Sequence, residues 1–75
     1  MLDKIREIVF KYTENADVEI SEDTVFMTDL RLDSYELVLV LSDVEKAFGV
    51  EISDRDIAGM KTVRDVMDYI SARKS

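Results

Sequence analysis

The 75-residue chain contains no cysteine, histidine, tryptophan or proline. Without cysteine no disulfide can form, which suits a reducing compartment such as the cytoplasm. Without cysteine or histidine there is also no thiolate or imidazole for a zinc site, for Ser–His or Cys–His catalysis, or for proton transfer near neutral pH. Only a strongly perturbed carboxylate or lysine could then serve as a catalytic group. We therefore predict that the chain is not an enzyme.

The pattern of acids also speaks against a bound metal. Asp29, Arg31 and Asp33 alternate as the ligands of an EF-hand loop do. However, arginine stands at the third position, and neither the turn glycine nor the terminal glutamate follows at the required spacing. We predict no metal site.

Long apolar runs are missing as well. The longest uncharged stretch is Leu37–Ser42, whereas a membrane-spanning helix needs roughly 20 apolar residues. Asp3, Lys4 and Arg6 interrupt the apolar run that a signal peptide would need near its start. We expect no membrane span and a cytoplasmic location.

Acidic residues outnumber basic ones by 17 to 10, and the net charge of −7 disfavours nucleic-acid binding. The imbalance is concentrated in residues 13–36, which hold eight acids and a single base, Arg31. Such a segment is either a solvated loop or a docking surface for basic partners, and the sequence leaves both open.

The apolar residues that are present recur at helical spacing and predict four helices. The first helix has an inward face, and the second has a longer one. Their residues are Leu2, Ile5, Ile8, Val9 and Tyr12 for the first helix, and Leu37, Val38, Leu41, Val44 and Phe48 for the second.

The helix ends are marked by side chains that cap free backbone groups. Asp33 with Glu36 forms the capping pattern that opens the second helix, and Gly49 suits its left-handed end. Two further patterns open a short helix that closes near Gly59 and a last helix with Val63, Val66, Met67 and Ile70 inward; they are Ser53 with Asp56 and Thr62 with Asp65.

A long connection from about Thr13 to Leu32 joins the first two helices. It contains apolar residues that we expect to pin it across the bundle: Val18, Ile20, Val25, Phe26, Met27, Leu30 and Leu32. The predicted fold is an all-α, small four-helix bundle, with three longer helices, one short helix and this long first loop. At this length, residues 1–75 are expected to form a single domain.

Ser34 is the best candidate in the sequence for a covalent modification site. It follows Asp33 at the start of the second helix. A serine there is usually a cap or a first-turn residue. Alternatively it is a modification site, since a helix N-terminus stabilises an attached phosphate through its free N–H groups and dipole.

Residues 29–38, which read DLRLDSYELV, together with Phe48–Gly49–Val50–Glu51–Ile52, resemble an acyl carrier protein. The resemblance covers nearly the whole chain, from the apolar first helix through Thr62–Val63 to Tyr69–Ile70. The Asp33–Ser34 pair alone is a weak signal. It becomes a specific one because Phe48–Gly49 follows at the spacing found in the family and the chain has the family's length.

The resemblance implies that Ser34 carries 4′-phosphopantetheine, transferred from coenzyme A by a phosphopantetheinyl transferase (holo-ACP synthase). The arm supplies the thiol that the chain lacks and holds acyl groups as thioesters. It also implies an acyl pocket, for which Val38, Leu41 and Ile52 are candidates, although core packing explains them equally well. Acids along the second helix that would bind the transferase and the acyl-loading and acyl-processing synthase enzymes are Asp33, Glu36 and Glu45.

The sequence departs from the family pattern around Ser34. Arg31 stands where the family usually has a glycine, Tyr35 replaces the usual leucine or methionine, and Leu39 occupies a position that is often acidic; Lys46 interrupts the acidic face further along. Tyr35 and Leu39 would form an apolar partner contact if Leu39 is exposed. A dedicated partner set or drift on a tolerant surface explains these changes equally well.

The resemblance thus predicts a discrete, monomeric acyl carrier protein that acts in fatty acid biosynthesis. A carrier for a polyketide, aminoacyl or peptidyl pathway has the same fold and is the first alternative. A helical protein-interaction module, with no prosthetic group and with Ser34 as a simple cap, is the alternative from a different class.

Overall fold

A computed structural model describes residues 1–13 and 18–74 of the chain. Within these ranges the regular secondary structure consists of helices, apart from one isolated antiparallel bridge between Val25 and Thr62. This confirms the all-α prediction of three longer helices and one short helix. The helices are α1 (Leu2–Phe10), α2 (Ser34–Phe48), α3 (Asp54–Ile57) and α4 (Val63–Lys74).

The core lies between α1, α2, α4 and the apolar residues of the first loop. Helix α1 buries Ile5, Ile8 and Val9, as their spacing predicts. Helix α4 buries Val63, Val66 and Ile70 against them, with Met67 partly buried. The face contributed by α2 consists of Leu37, Val40, Leu41 and Val44.

The predicted inward face of α2 was therefore wrong at one position. Val38 is 46% exposed, whereas Val40, which we did not assign to the core, is fully buried. Leu37, Val40, Leu41 and Val44 follow the i, i+3, i+4, i+7 spacing of a single face, and this spacing places Val38 at the edge of that face.

The predicted helix ends are confirmed by hydrogen bonds. The Glu36 N–H donates to Asp33 Oδ1 at 2.7 Å, and the Asp33 N–H donates to Glu36 Oε1 at 3.2 Å, which completes the capping box of α2. Gly49 ends this helix in the left-handed conformation, with φ 67°. Similar caps open α3, where the Asp56 N–H donates to Ser53 Oγ, and α4, where the Asp65 N–H donates to Thr62 Oγ1.

The described part of the first loop is pinned across the bundle, as predicted. Backbone bonds join it to the start of α4: the Val63 N–H donates to the Thr24 carbonyl at 3.0 Å, and the Phe26 N–H donates to the Lys61 carbonyl at 3.0 Å. The buried anchors are Ile20, Phe26, Leu30 and Leu32, and Val18 and Val25 are partly buried. Met27 was wrongly assigned as an anchor, because its side chain is 51% exposed on a turn.

Arg31 adopts a left-handed backbone conformation, with φ 55°. This conformation costs a residue with a Cβ about 1–2 kcal/mol, and glycine escapes most of that cost. It accounts physically for the glycine that the resembling family usually has here.

Replacing Arg31 with glycine should therefore raise the free energy of unfolding, by about 0.5–1 kcal/mol relative to Arg31→Ala. The alanine variant is the matched control, because both variants remove the guanidinium but only glycine relieves the backbone. Urea unfolding of the two variants measures the difference. Equal stability of the two would show that the backbone at residue 31 is unstrained.

The cap of α4 makes stability depend on acid pH. Hydrogen bonds from the backbone N–H groups of Lys61 and Thr62, at 3.0 and 3.1 Å, hold the pKa of Asp65 below its ordinary value of 3.8. A carboxyl group whose pKa is lower in the folded chain contributes its stabilisation fully above pH 3.8, and this contribution is lost as the pH falls through 3.8 toward the folded-state pKa.

We expect the melting temperature to fall more steeply between pH 5 and pH 3 in the wild type than in Asp65→Asn. The amide keeps an oxygen acceptor but does not titrate in this range, so the difference between the two curves isolates Asp65 from the other carboxyl groups. Parallel curves would contradict the assignment.

Candidate functional site

Ser34 is the first residue of α2, and its side chain is exposed. Among the described residues its hydroxyl has no hydrogen-bond partner. Asp33, and not Ser34, accepts the bond from the Glu36 N–H and caps the helix. Ser34 is therefore a first-turn residue and not the cap of α2, and its exposed side chain is accessible to an enzyme.

The surroundings of Ser34 suit an attached phosphate. The backbone N–H groups of Ser34 and Tyr35 lie in the first turn of α2 and have no acceptor among the described residues. Such free N–H groups, with the helix dipole, stabilise an anion. Arg31 is the basic residue nearest to Ser34 along the sequence. It is exposed and forms no ion pair in the described part of the chain, so its charge is available to an attached phosphate. The carboxylates of Asp33 and Glu36 already accept bonds from backbone N–H groups.

A mainly apolar groove of about 500 Å³ opens beside Ser34. Its volume is within the range of small-molecule sites. Helix α2 forms one wall, α3 and the residues after it form the other, and the turn of the first loop closes one side. The groove is lined by Val25, Met27, Thr28, Ser34, Leu37, Val38, Asp54, Ile57, Ala58, Met60 and Lys61.

Only one of the three residues predicted for an acyl pocket lines this groove. Val38 does, which explains why it is exposed and not packed in the core. Leu41 is fully buried among the core residues of α2, and Ile52 lies beside Glu45 in a separate cleft between the end of α2 and α4. The sequence did not point to Met27, Ile57, Ala58 or Met60 as lining residues, because nothing local marks a wall built from three separate segments.

The predicted partner-binding residues are not equally accessible. Tyr35 is 71% exposed, and Asp33 is exposed as well. Leu39 is half-buried, so the exposed apolar neighbour of Tyr35 on the helix surface is Val38, three residues on, and not Leu39. Glu36 is half-buried in the capping box.

Glu45 has a role inside the fold. It is half-buried, and its Oε2 accepts a hydrogen bond from the Ile52 N–H at 3.2 Å, which ties the segment after α2 to the helix. Of the acids in residues 13–36, Glu14 and Asp17 lie outside the described residues.

Residues 1–13 and 18–74 contain neither a cluster of metal ligands nor a helix that could cross a membrane. No group of three or more acidic, cysteine or histidine side chains is placed to hold a metal ion. None of the helices there is both long enough and apolar enough to cross a membrane.

Comparison with known proteins places this arrangement in a family. Residues 3–70 match the family model described as the phosphopantetheine attachment site. The chain is 40% identical over 72 residues to an acyl carrier protein of Clostridium perfringens, with 95% of this chain and 93% of that protein covered.

Two further relatives are similar over most of the chain. An acyl carrier protein of Rickettsia bellii is 42% identical over 57 residues, with 76% of this chain and 66% of that protein covered. A meromycolate extension acyl carrier protein of Mycobacterium leprae is 39% identical over 66 residues, with 88% of this chain and 57% of that protein covered. The chain therefore belongs to the acyl carrier protein family, whose members are phosphopantetheine-bearing carriers and not enzymes.

Proposed function

We propose that Ser34 is the attachment point of the 4′-phosphopantetheine arm. The observation that carries the proposal is an exposed hydroxyl with no partner at the first position of α2, next to a cap supplied by Asp33. When bound, the arm supplies a thiol that carries acyl groups as thioesters. Around its phosphate, the N–H groups of Ser34 and Tyr35 would donate hydrogen bonds.

We further propose that the groove beside Ser34 shelters the start of a carried acyl chain. Val38, Met27 and Ile57 give it an apolar lining next to the attachment point. Burying a methylene group in such a lining is favourable by about 0.8 kcal/mol. Leu41 and Ile52 would contact the chain only if the core opened further.

The docking surface for partner enzymes is assigned to the first turns of α2. Asp33 and Glu36 supply negative charge toward basic partners, and Tyr35 supplies exposed apolar area beside them. Leu39 borders this surface, and Glu45 would extend it to the C-terminal end of α2, where its Oε2 also accepts the hydrogen bond from the Ile52 N–H. Rim charges of this kind speed encounter and give modest affinity, which suits a carrier that visits several enzymes.

The family relationship supports a phosphopantetheinyl transferase and acyl-loading and acyl-processing synthases as these partners. We place the protein in fatty acid biosynthesis, in the cytoplasm, as a monomer, with residues 1–75 forming one carrier domain. The relatives named acyl carrier protein support fatty acid biosynthesis. A polyketide, aminoacyl or peptidyl carrier is the alternative, and the departure at Tyr35 is compatible with it, as it is with drift on a tolerant surface.

Intact-mass measurement after incubation with coenzyme A and each of several transferases tests the attachment. We expect a gain of one phosphopantetheine, with the added mass located by proteolysis on the peptide that contains Ser34. No gain with any transferase would overturn the proposal and favour the interaction module. Mass spectrometry of the cargo on protein isolated from its native cell separates the pathways.

The apolar part of the docking surface predicts a specific binding effect. Tyr35→Ala should weaken binding to a cognate synthase about 10-fold or more, because it removes a large exposed ring from the contact. Tyr12→Ala is unsuitable as a control because Tyr12 is half-buried, so Phe10→Ala, on the exposed side of α1, is the matched control. Equal affinities of the two variants, measured by titration calorimetry, would exclude Tyr35 from the contact.

A further inference from the structure

Helix α3 is the least buried wall of the groove. None of its residues is buried, and it is only one turn long. A helix this short is not stable by itself in water. Its inner side, with Asp54 and Ile57, lines the groove beside Ser34, so any movement of α3 changes the width of the groove.

The other side of α3 is attached to α4 by a polar cluster. The Tyr69 hydroxyl donates its one proton to Asp56 Oδ2 at 2.8 Å, and its oxygen lies 3.0 Å from the Glu51 carbonyl oxygen. Arg73 Nη2 donates to the Tyr69 hydroxyl oxygen at 2.7 Å and lies 3.6 Å from Asp56 Oδ2. The Arg73 guanidinium also stacks over the Tyr69 ring, 4.2 Å from its centroid.

Without the cluster, α3 would be held only by local hydrogen bonds and by the packing of the partly buried Ile57 against the core. The remaining backbone bonds of α3 stay within its own segment: the Ile57 N–H donates to the Ser53 carbonyl, and the Gly59 N–H donates to the Asp56 carbonyl. The hydrogen bond from Tyr69 is the largest cause of the lowered pKa of Asp56, followed by the bond that Ser53 forms with it. The carboxylate is therefore ionised, and an acceptor for Tyr69, at neutral pH.

We propose that Tyr69 and Arg73 are positioning residues: through Asp56 they hold α3 in place and so set the width of the groove beside Ser34. The position of α3 follows from the contacts of the apo chain alone. The consequence for an acyl chain rests on the proposed use of the groove as its shelter. An acyl group too wide for the groove would have to displace α3 against this cluster.

The test is made on the apo protein with Tyr69→Phe, which keeps the ring and removes the hydroxyl. We expect the amides of Ile57, Gly59 and Met60 to exchange with deuterium about fivefold faster or more, relative to amides of α2. We also expect the methyl carbon shifts of Val38 to change, because this side chain faces α3 across the groove.

The matched control is Tyr12→Phe, since the Tyr12 hydroxyl donates a similar bond, 2.6 Å, to Asp43 of α2. It should leave the α3 amides and the Val38 methyl groups unchanged relative to α2. The proposal is overturned if Tyr69→Phe leaves either readout at the wild-type value, or if Tyr12→Phe changes both equally.

A second variant keeps the test decisive if Tyr69→Phe loosens the whole fold. Arg73→Gln leaves the ring and the hydroxyl in place and removes the ion pair to Asp56, and it should change the same two readouts in the same direction. Unchanged readouts in Arg73→Gln would then overturn the proposal. Because both measurements use the apo chain, a failure of Ser34 to accept the arm would not alter them, and the two proposals fail separately.

Discussion

Ser34→Ala should abolish the gain of mass on incubation with coenzyme A and a transferase, and it should leave the fold intact. The variant removes the nucleophilic hydroxyl, but Asp33 still accepts the bond from the Glu36 N–H. We therefore expect the free energy of unfolding to change by less than about 1 kcal/mol. Intact mass and urea unfolding on the same sample measure the two effects.

Ser53 provides the matched control for this prediction, because it is also a serine at a helix start. Its hydroxyl accepts the hydrogen bond from the Asp56 N–H and so caps α3. Ser53→Ala should keep full loading and lose about 1 kcal/mol of stability, the reverse of the effect at Ser34. Loading of Ser34→Ala, or gross unfolding of it, would show that attachment and capping are not divided in this way.

Leu41→Ala should lower the free energy of unfolding by about 2–5 kcal/mol. Leu41 is fully buried, so the substitution removes apolar contact and leaves a cavity. A loss of this size is a large fraction of the free energy of unfolding of a typical domain, which is roughly 5–15 kcal/mol. Urea unfolding monitored by circular dichroism measures it.

Leu39→Ala, on the same helix, is the control for Leu41→Ala. Leu39 is half-buried, so the same atoms are removed from a position that water already reaches in part. It should cost clearly less than Leu41→Ala, and an equal or larger loss would contradict the placement of these two side chains. Neither variant changes the cap at Asp33 or the hydroxyl of Ser34.

The ends of the helices could be predicted from the sequence because capping is local. Asp33 with Glu36, and Thr62 with Asp65, form their bonds within three residues, and the structure contains those bonds. The position of Ser34 at the start of α2 followed directly from the cap beside it.

The orientation of α2 could not be predicted in the same way. Five apolar residues in a row, 37–41, are compatible with more than one inward face. In the folded chain Val40 is buried in the core, and Val38 lies at the groove instead. Met27 was misplaced for a similar reason, because two adjacent apolar residues in a turn point in different directions and only Phe26 enters the core.

The groove is the feature that sequence patterns predict least. Its walls come from the first loop, α2 and the segment around α3, which meet only in the folded chain. The bond from the Tyr69 hydroxyl to Asp56 and the bond from the Ile52 N–H to Glu45 could not be predicted either, because they join residues with no characteristic spacing.

The attachment of the first loop to the start of α4 bears on how the chain folds. The ion pair between Arg64 and Glu22 joins residues 42 positions apart, and the bond between Val63 and Thr24 closes a similarly long loop. Long-range contacts of this kind are formed late, since closing a long loop costs entropy before any contact repays it. We expect the contact between Arg64 and Glu22 to form after the transition state for folding, so Arg64→Ala should speed unfolding more than it slows folding.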